Sequence, residues 1–184
     1  NEDDFTKSNL IEEEYKLSDI DKQIYSREIQ EKPVIQERIQ EAYQKFNPET
    51  EAEREDIQKY VIQKNTFYRV YNLTTSTFQE NQTSGAHRSI GGYSAAKLRR
   101  YQDMIEFHIS QGNRQVLNML NTKYVIVDPS SAPLRNQFAY GNAWFVNDYE
   151  LVEDADAENA AVQDFDAAET AIIDDDFSDL LEHY

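Results

Sequence analysis

The chain has 184 residues, 39% of them apolar, with 18 Lys and Arg against 35 Asp and Glu, a net charge of -17. That charge argues against a nucleic-acid binder, and the apolar share, below the usual ~45–50%, confines the core to part of the chain. There is no cysteine, so disulfides and thiolate metal sites are excluded while the redox compartment stays open. Mean hydropathy is -0.80, no run approaches the ~18–20 apolar residues of a membrane span, and no signal-peptide pattern opens the chain. The opening Asn1-Glu-Asp-Asp4 reads as a cut inside something longer.

Residues 1–17 are polar and read as extended or loosely attached. Ser18 is a good N-cap, with Asp19 and Asp21 in the turn that follows and Ile20 and Ile24 as a short apolar stripe. Pro33 suits the first position of a second helix, whose apolar positions are Val34, Ile35, Ile39, Tyr43 and Phe46. Asn47-Pro48-Glu49 reads as the cap and first turn of a further helix to about Lys64, with Ile57, Tyr60 and Val61 inside. Residues 1–66 are therefore expected to be a charged helical segment. It either packs on the rest of the chain or serves as an oligomerisation arm or partner-binding hairpin.

Composition changes at Phe67, and residues 67–184 are expected to form a mixed α/β domain. Tyr68 to Leu73 favours a strand. Thr74 to Gly92 reads as a long loop, a kind of segment that often carries function. A helix is expected from Ser94 to about Gln111, with Leu98, Tyr101, Ile105 and His108 or Ile109 buried and Gly112 closing it. Asn113 suits the cap of a short helix through Leu120. Lys123 to Val127 is a nearly continuous apolar run, as in a strand buried on both faces. Residues 129–141 read as a loop. Ala143–Val146 and Tyr149–Val152 flank Asn147-Asp148 and suggest a hairpin. Asp154 to Gln163 reads as a helix and Thr170 to Ile173 as a last strand. The fold class is α/β (mixed α+β), a small mixed sheet with flanking helices.

Charge is uneven along the chain. Residues 1–63 carry 9 basic and 17 acidic side chains, residues 64–149 carry 9 and 5, and residues 150–184 carry none and 13. The basic middle is either covered by its acidic flanks or holds an anionic ligand. Its centre is Ser89 to Tyr101, where Gly91 and Gly92 precede Lys97, Arg99 and Arg100. Cations in a first helical turn oppose the helix dipole by ~0.3–1 kcal/mol each, so an anion or nearby carboxylates should offset them. Arg99 and Arg100 can both reach Asp103 on the same helix. His87, Arg88, Gly91, Gly92, Tyr93, Lys97, Arg100 and Tyr101 form the candidate ligand-binding set: cations for phosphate or carboxylate, aromatic rings for sugars.

Catalytic and metal signals are weak. His87, His108 and His183 are far apart in sequence. Asp154, Asp156 and Glu158 alternate like a calcium loop but lack its glycine and closing glutamate. No nucleophile elbow, P-loop or dinucleotide fingerprint occurs, and Ser89 near His87 lacks a third group. Neither a metal nor a cofactor is expected. Asn72-Leu-Thr74 and Asn81-Gln-Thr83 match the short glycosylation acceptor pattern.

Five segments in consistent order carry a resemblance: Tyr68-Arg-Val-Tyr-Asn-Leu-Thr74, His87-Arg-Ser-Ile-Gly-Gly-Tyr93, Ala96-Lys-Leu-Arg-Arg-Tyr-Gln102, Val116-Leu-Asn-Met-Leu-Asn-Thr-Lys-Tyr124 and Gly141-Asn-Ala-Trp-Phe-Val146. Together they resemble the soluble C-terminal region of YfhO-type bacterial membrane proteins, in a form similar to that of Bacteroides-like bacteria. The resemblance runs from about Tyr68 to Ile173. Asn1 to about Ile24 resembles the family's lead-in, and the helices around 25–64 look like an insertion. These proteins are polytopic and grouped with multi-spanning glycosyltransferases that use lipid-linked sugar donors.

The resemblance implies an extracytoplasmic, non-catalytic accessory domain. Its partners would be the parent's membrane segments and a glycan or lipid-phosphate ligand held near Gly91 to Tyr101. No catalytic residue carries over, because the family's catalytic acid lies in a loop between membrane helices. The alternatives are a purely structural domain docked on the parent's own loops or on the acidic C-terminal stretch, and a self-contained soluble enzyme.

Overall fold

A computed structural model describes residues 16–183; the expected extended segment at 1–17 and the family-like lead-in lie largely outside them. The architecture is mixed α/β, divided into two compact units: residues 1–93 with 124–135, and residues 94–123 with 136–184.

In the first unit Ser18 caps α1 (Asp19–Glu31) through a capping box. Its hydroxyl accepts from the Asp21 amide at 3.3 Å, and the Asp21 carboxylate accepts from the Ser18 amide at 2.8 Å. Pro33 occupies the first position of α2 (Pro33–Phe46), where a missing N–H is harmless. Asn47 does not cap the next helix. It ends α2 in the left-handed region at φ 47°, and Thr50 caps α3 (Glu51–Asn65) with Glu53 completing the box. A residue before proline is pushed out of the right-handed helical region, and asparagine tolerates the left-handed one.

Ile20, Ile24, Tyr25, Ile35, Ile39, Ile57, Val61 and Ile62 from the three helices share one buried cluster with Tyr68, Val70, Tyr124 and Ile126. The charged helices and the strands thus have a common core. The strands are β1 (Arg69–Asn72), β2 (Thr122–Ile126) and β3 (Leu134–Arg135), in the order β1-β2-β3, with β2 antiparallel to β3. In β2, Tyr124 and Ile126 are buried and Val125 between them is half-buried, so side chains alternate rather than being buried equally on both faces. The expected loop at 74–92 contains a short helix, α4 (Gln82–Ala86), and the expected loop at 129–141 contains β3.

In the second unit the helix expected from Ser94 begins at Arg99. It comprises α5 (Arg99–Met104) and a π-helical turn (Ile105–Ile109) that buries Ile105, His108 and Ile109, while Leu98 is 77% exposed. Asn113 caps α6 (Arg114–Met119), accepting from the Gln115 and Val116 amides. The expected hairpin at 143–152 does not form. β4 (Asp148–Val152) pairs in parallel with β5 (Thr170–Asp174), and α7 (Ala155–Ala161), capped by Asp154, makes the crossover. The amides of Asn147 and Asp148 both donate to the Glu169 carbonyl, so those two residues open the parallel pairing. Residues 143–146 form no strand; the Trp144 indole N–H donates to the Ala167 carbonyl at 2.6 Å.

Candidate functional site

The eight residues of the expected binding set fall in both units. His87, Arg88, Gly91, Gly92 and Tyr93 belong to the first, and Lys97, Arg100 and Tyr101 to the second.

The His87 ring is buried, with Nε2 3.0 Å from Asp21 Oδ1, and it meets the Tyr25 ring edge-on at 5.0 Å. Burial pushes the Asp21 carboxyl up, but hydrogen bonds from His87 and Ser18 outweigh it and hold the group below the ordinary carboxylate value. Burial and the nearby Asp21 charge raise the Tyr25 hydroxyl, which donates to the Ala86 carbonyl. His87 therefore ties α1 to the end of α4. Arg88 is exposed; its guanidinium lies 5.2 Å from the centre of the Phe67 ring and donates to the Gln63 carbonyl at 3.3 Å.

Gly91 and Gly92 do not open a helix. They lie against the 77–81 turn, where the Gly92 amide donates to the Thr77 carbonyl at 2.7 Å. The Tyr93 amide donates to the Glu80 carbonyl and to the Asn81 side chain. A Cβ on Gly91 would sit 2.1 Å from the Thr77 carbonyl oxygen, and Gly92 has φ +108°. The double glycine is thus a place where backbone meets backbone. Tyr93 is 65% exposed.

Lys97 and Tyr101 are half-buried. Arg99 pairs with Asp103 at 2.9 Å, the contact expected from helical spacing. Arg100 turns elsewhere. One guanidinium nitrogen bridges to Glu158 on α7 and the other lies 3.1 Å from Asp174 Oδ2 at the end of β5. The Arg100 side chain is 57% exposed and that of Asp174 only 5%. The carboxylates that offset this cation come from the acidic last 35 residues of the chain itself.

Replacing Arg100 by alanine strips a buried Asp174 of its counter-charge. The expected loss of stability is about 1–2 kcal/mol, below the ~3–5 kcal/mol of a fully buried pair because Arg100 is half in water. Lysine should restore little, since one ammonium cannot serve two carboxylates as a planar fork does. Chemical denaturation of the two variants against the parent chain measures both effects.

Beside this bridge lies an open cleft of about 460 Å³. Its walls are Met104, Met119, Trp144, Val162, Phe165 and Ile172, with Arg100, Asp103, Asp156 and Glu158 among the polar lining. The buried His108 ring supports α7 from behind, with Nε2 2.8 Å from Asn159 Oδ1 and 2.9 Å from the Asn159 carbonyl. Sequence patterning missed this cleft, because its wall comes from separate segments. One signal was present: both methionines and the single tryptophan of the chain line it. Among the described residues no three His, Asp or Glu side chains converge to hold a metal, and no helix is long and apolar enough to cross a membrane.

Comparison with protein-family models, with curated proteins and with solved structures finds no match to this chain. What the fold and cleft define is a class: a two-unit mixed α/β protein with an acidic-rimmed apolar cleft in its second unit.

Proposed function

We propose that the chain is a non-catalytic interaction domain, the extracytoplasmic part of a YfhO-type polytopic membrane protein resembling glycosyltransferases, and that it docks on that protein's own loops beside the membrane. One observation carries the docking reading over a binding site for anions. Arg100, at the centre of the basic helix start, is already held by Glu158 and Asp174, while the cleft beside it is walled by apolar side chains and lined by carboxylates. Large exposed side chains in the same unit, among them Phe138 at 74% and Phe145 at 100%, supply apolar area for a partner. The positioning of a glycan or lipid-phosphate remains the second reading, favoured by exposed Tyr93 close in sequence to exposed Arg88.

The test uses the full-length parent in cells. A photo-cross-linking residue at Phe145 is expected to join the domain to the parent's extramembrane loops, and Arg88→Ala/Tyr93→Ala should leave glycosyl transfer unchanged at matched protein levels. Absence of intramolecular cross-links would remove the docking reading. Lost transfer in the folded double variant would put the first unit on the substrate path instead.

A further inference from the structure

The second unit holds 5 Lys and Arg against 16 Asp and Glu, a net charge of -11, and every one of those cations precedes residue 124. From Asn136 onward the chain has no Lys or Arg at all. The cleft sits within this acidic surface. Its walls ask for an aliphatic or aromatic anchor; on its rim Asp103 already pairs with Arg99 and Glu158 with Arg100, so it is Asp156, within a unit of net charge -11, that asks for positive charge. The one cation of the lining, Arg100, already has two carboxylates, so an anionic ligand would have to displace them and would face the remaining acids. Met104 and Met119 add unbranched, polarizable walls that adapt to varied apolar side chains. Trp144 and Val146 line the cleft while Phe145 between them is fully exposed, so apolar surface continues out of the cleft along that segment.

We infer that this cleft is the docking site for a basic amphipathic segment of a partner polypeptide, with an apolar side chain seated between Trp144, Met104 and Ile172 and a flanking Lys or Arg facing Asp156 and the acidic surface around it. The inference deepens the docking reading and rests on it for the source of the segment, a loop of the parent. The chemistry of the segment follows from the cleft alone.

The single tryptophan makes occupancy visible. The 184-residue chain is titrated with a short amphipathic peptide of Leu and Lys, with the matched peptide of Leu and Glu, and with an alkyl phosphate, and Trp144 fluorescence is followed. The Leu/Lys peptide should give a saturable shift that weakens as salt is raised, and neither anionic probe should saturate. Asp156→Asn should weaken the Leu/Lys peptide roughly threefold. Ala143→Phe, which fills the cleft from an exposed rim position, should abolish the shift with an unchanged far-ultraviolet spectrum; either variant alone suffices. No saturable shift with the Leu/Lys peptide, equal affinity for an anionic probe, or full binding by a folded Ala143→Phe variant each overturns the inference. The two readings fail separately. Cross-links without peptide binding leave docking intact and remove the cleft chemistry, whereas peptide binding without cross-links does the reverse.

Discussion

Tyr124→Ala is expected to remove ~3–5 kcal/mol from the stability of the chain, the range for deleting a buried aromatic side chain. Tyr124 is fully buried on β2 and belongs to the cluster shared by all three long helices. Its ring meets Tyr68 edge-on at 5.3 Å, and its hydroxyl donates to Glu28 Oε1 at 2.7 Å. Glu28 is itself fully buried on α1, with Lys32 Nζ 3.0 Å from its other oxygen. The alanine variant therefore opens a cavity and takes a donor from a buried carboxylate. Tyr124→Phe separates the two effects: it keeps the ring and should lose only the ~1–3 kcal/mol of the donor. Burial, with Glu28 close by, also raises the Tyr124 hydroxyl, which thus stays protonated in the folded chain. Urea denaturation of the two variants gives both numbers. A cost for Tyr124→Ala no larger than for Tyr124→Phe would show that the ring contributes little and the cluster is loosely packed.

Gly91→Ala should cost about 2–4 kcal/mol, combining ~1–3 for overpacking with ~1 for a lost backbone hydrogen bond. The added methyl would lie 2.1 Å from the Thr77 carbonyl oxygen and 2.6 Å from Thr77 Cγ2. The backbone must move, and the same carbonyl accepts the Gly92 amide. Hydrogen exchange should therefore rise at Gly92 and Tyr93 well beyond any change on α2. The Gly92→Ala variant is the milder control: the nearest atom to its Cβ is the Ser84 hydroxyl, at 3.1 Å, so its penalty comes chiefly from a φ of +108°. A neutral Gly91→Ala with unchanged exchange would mean that the 77–81 turn yields freely.

Much of what local chemistry decides was legible in the sequence. Ser18 and Asn113 cap the helices they precede, Pro33 starts α2, and the run at 123–127 marks the central strand. Apart from Asn47, displaced as a cap by nearby Thr50, the main misread elements turn on partners distant in the chain. A helix at Ser94 is the best local solution after two glycines, but the amides of Gly92 and Tyr93 are engaged by Thr77 and Glu80. Asn147-Asp148 resembles a hairpin turn until Glu169 accepts both amides and a parallel pair results. The basic cluster was visible as an anomaly of charge; its resolution was not, because Glu158 and Asp174 lie 58 and 74 positions away from Arg100. The cleft was the least legible feature, since no periodicity links Met104, Trp144 and Ile172.

The stretch without Lys or Arg has a chemical consequence as well. Trypsin cutting at its last site, Arg135, would leave β4, α7 and β5 together on one fragment with the Trp144 wall of the cleft. Amine-directed reagents pass over the same stretch, because it has no lysine to modify. Carbodiimide coupling at its carboxylates reaches it, and a basic segment lying in the cleft would shield Asp156 and Glu158 from that reagent while leaving Asp175 and Asp176 open to it.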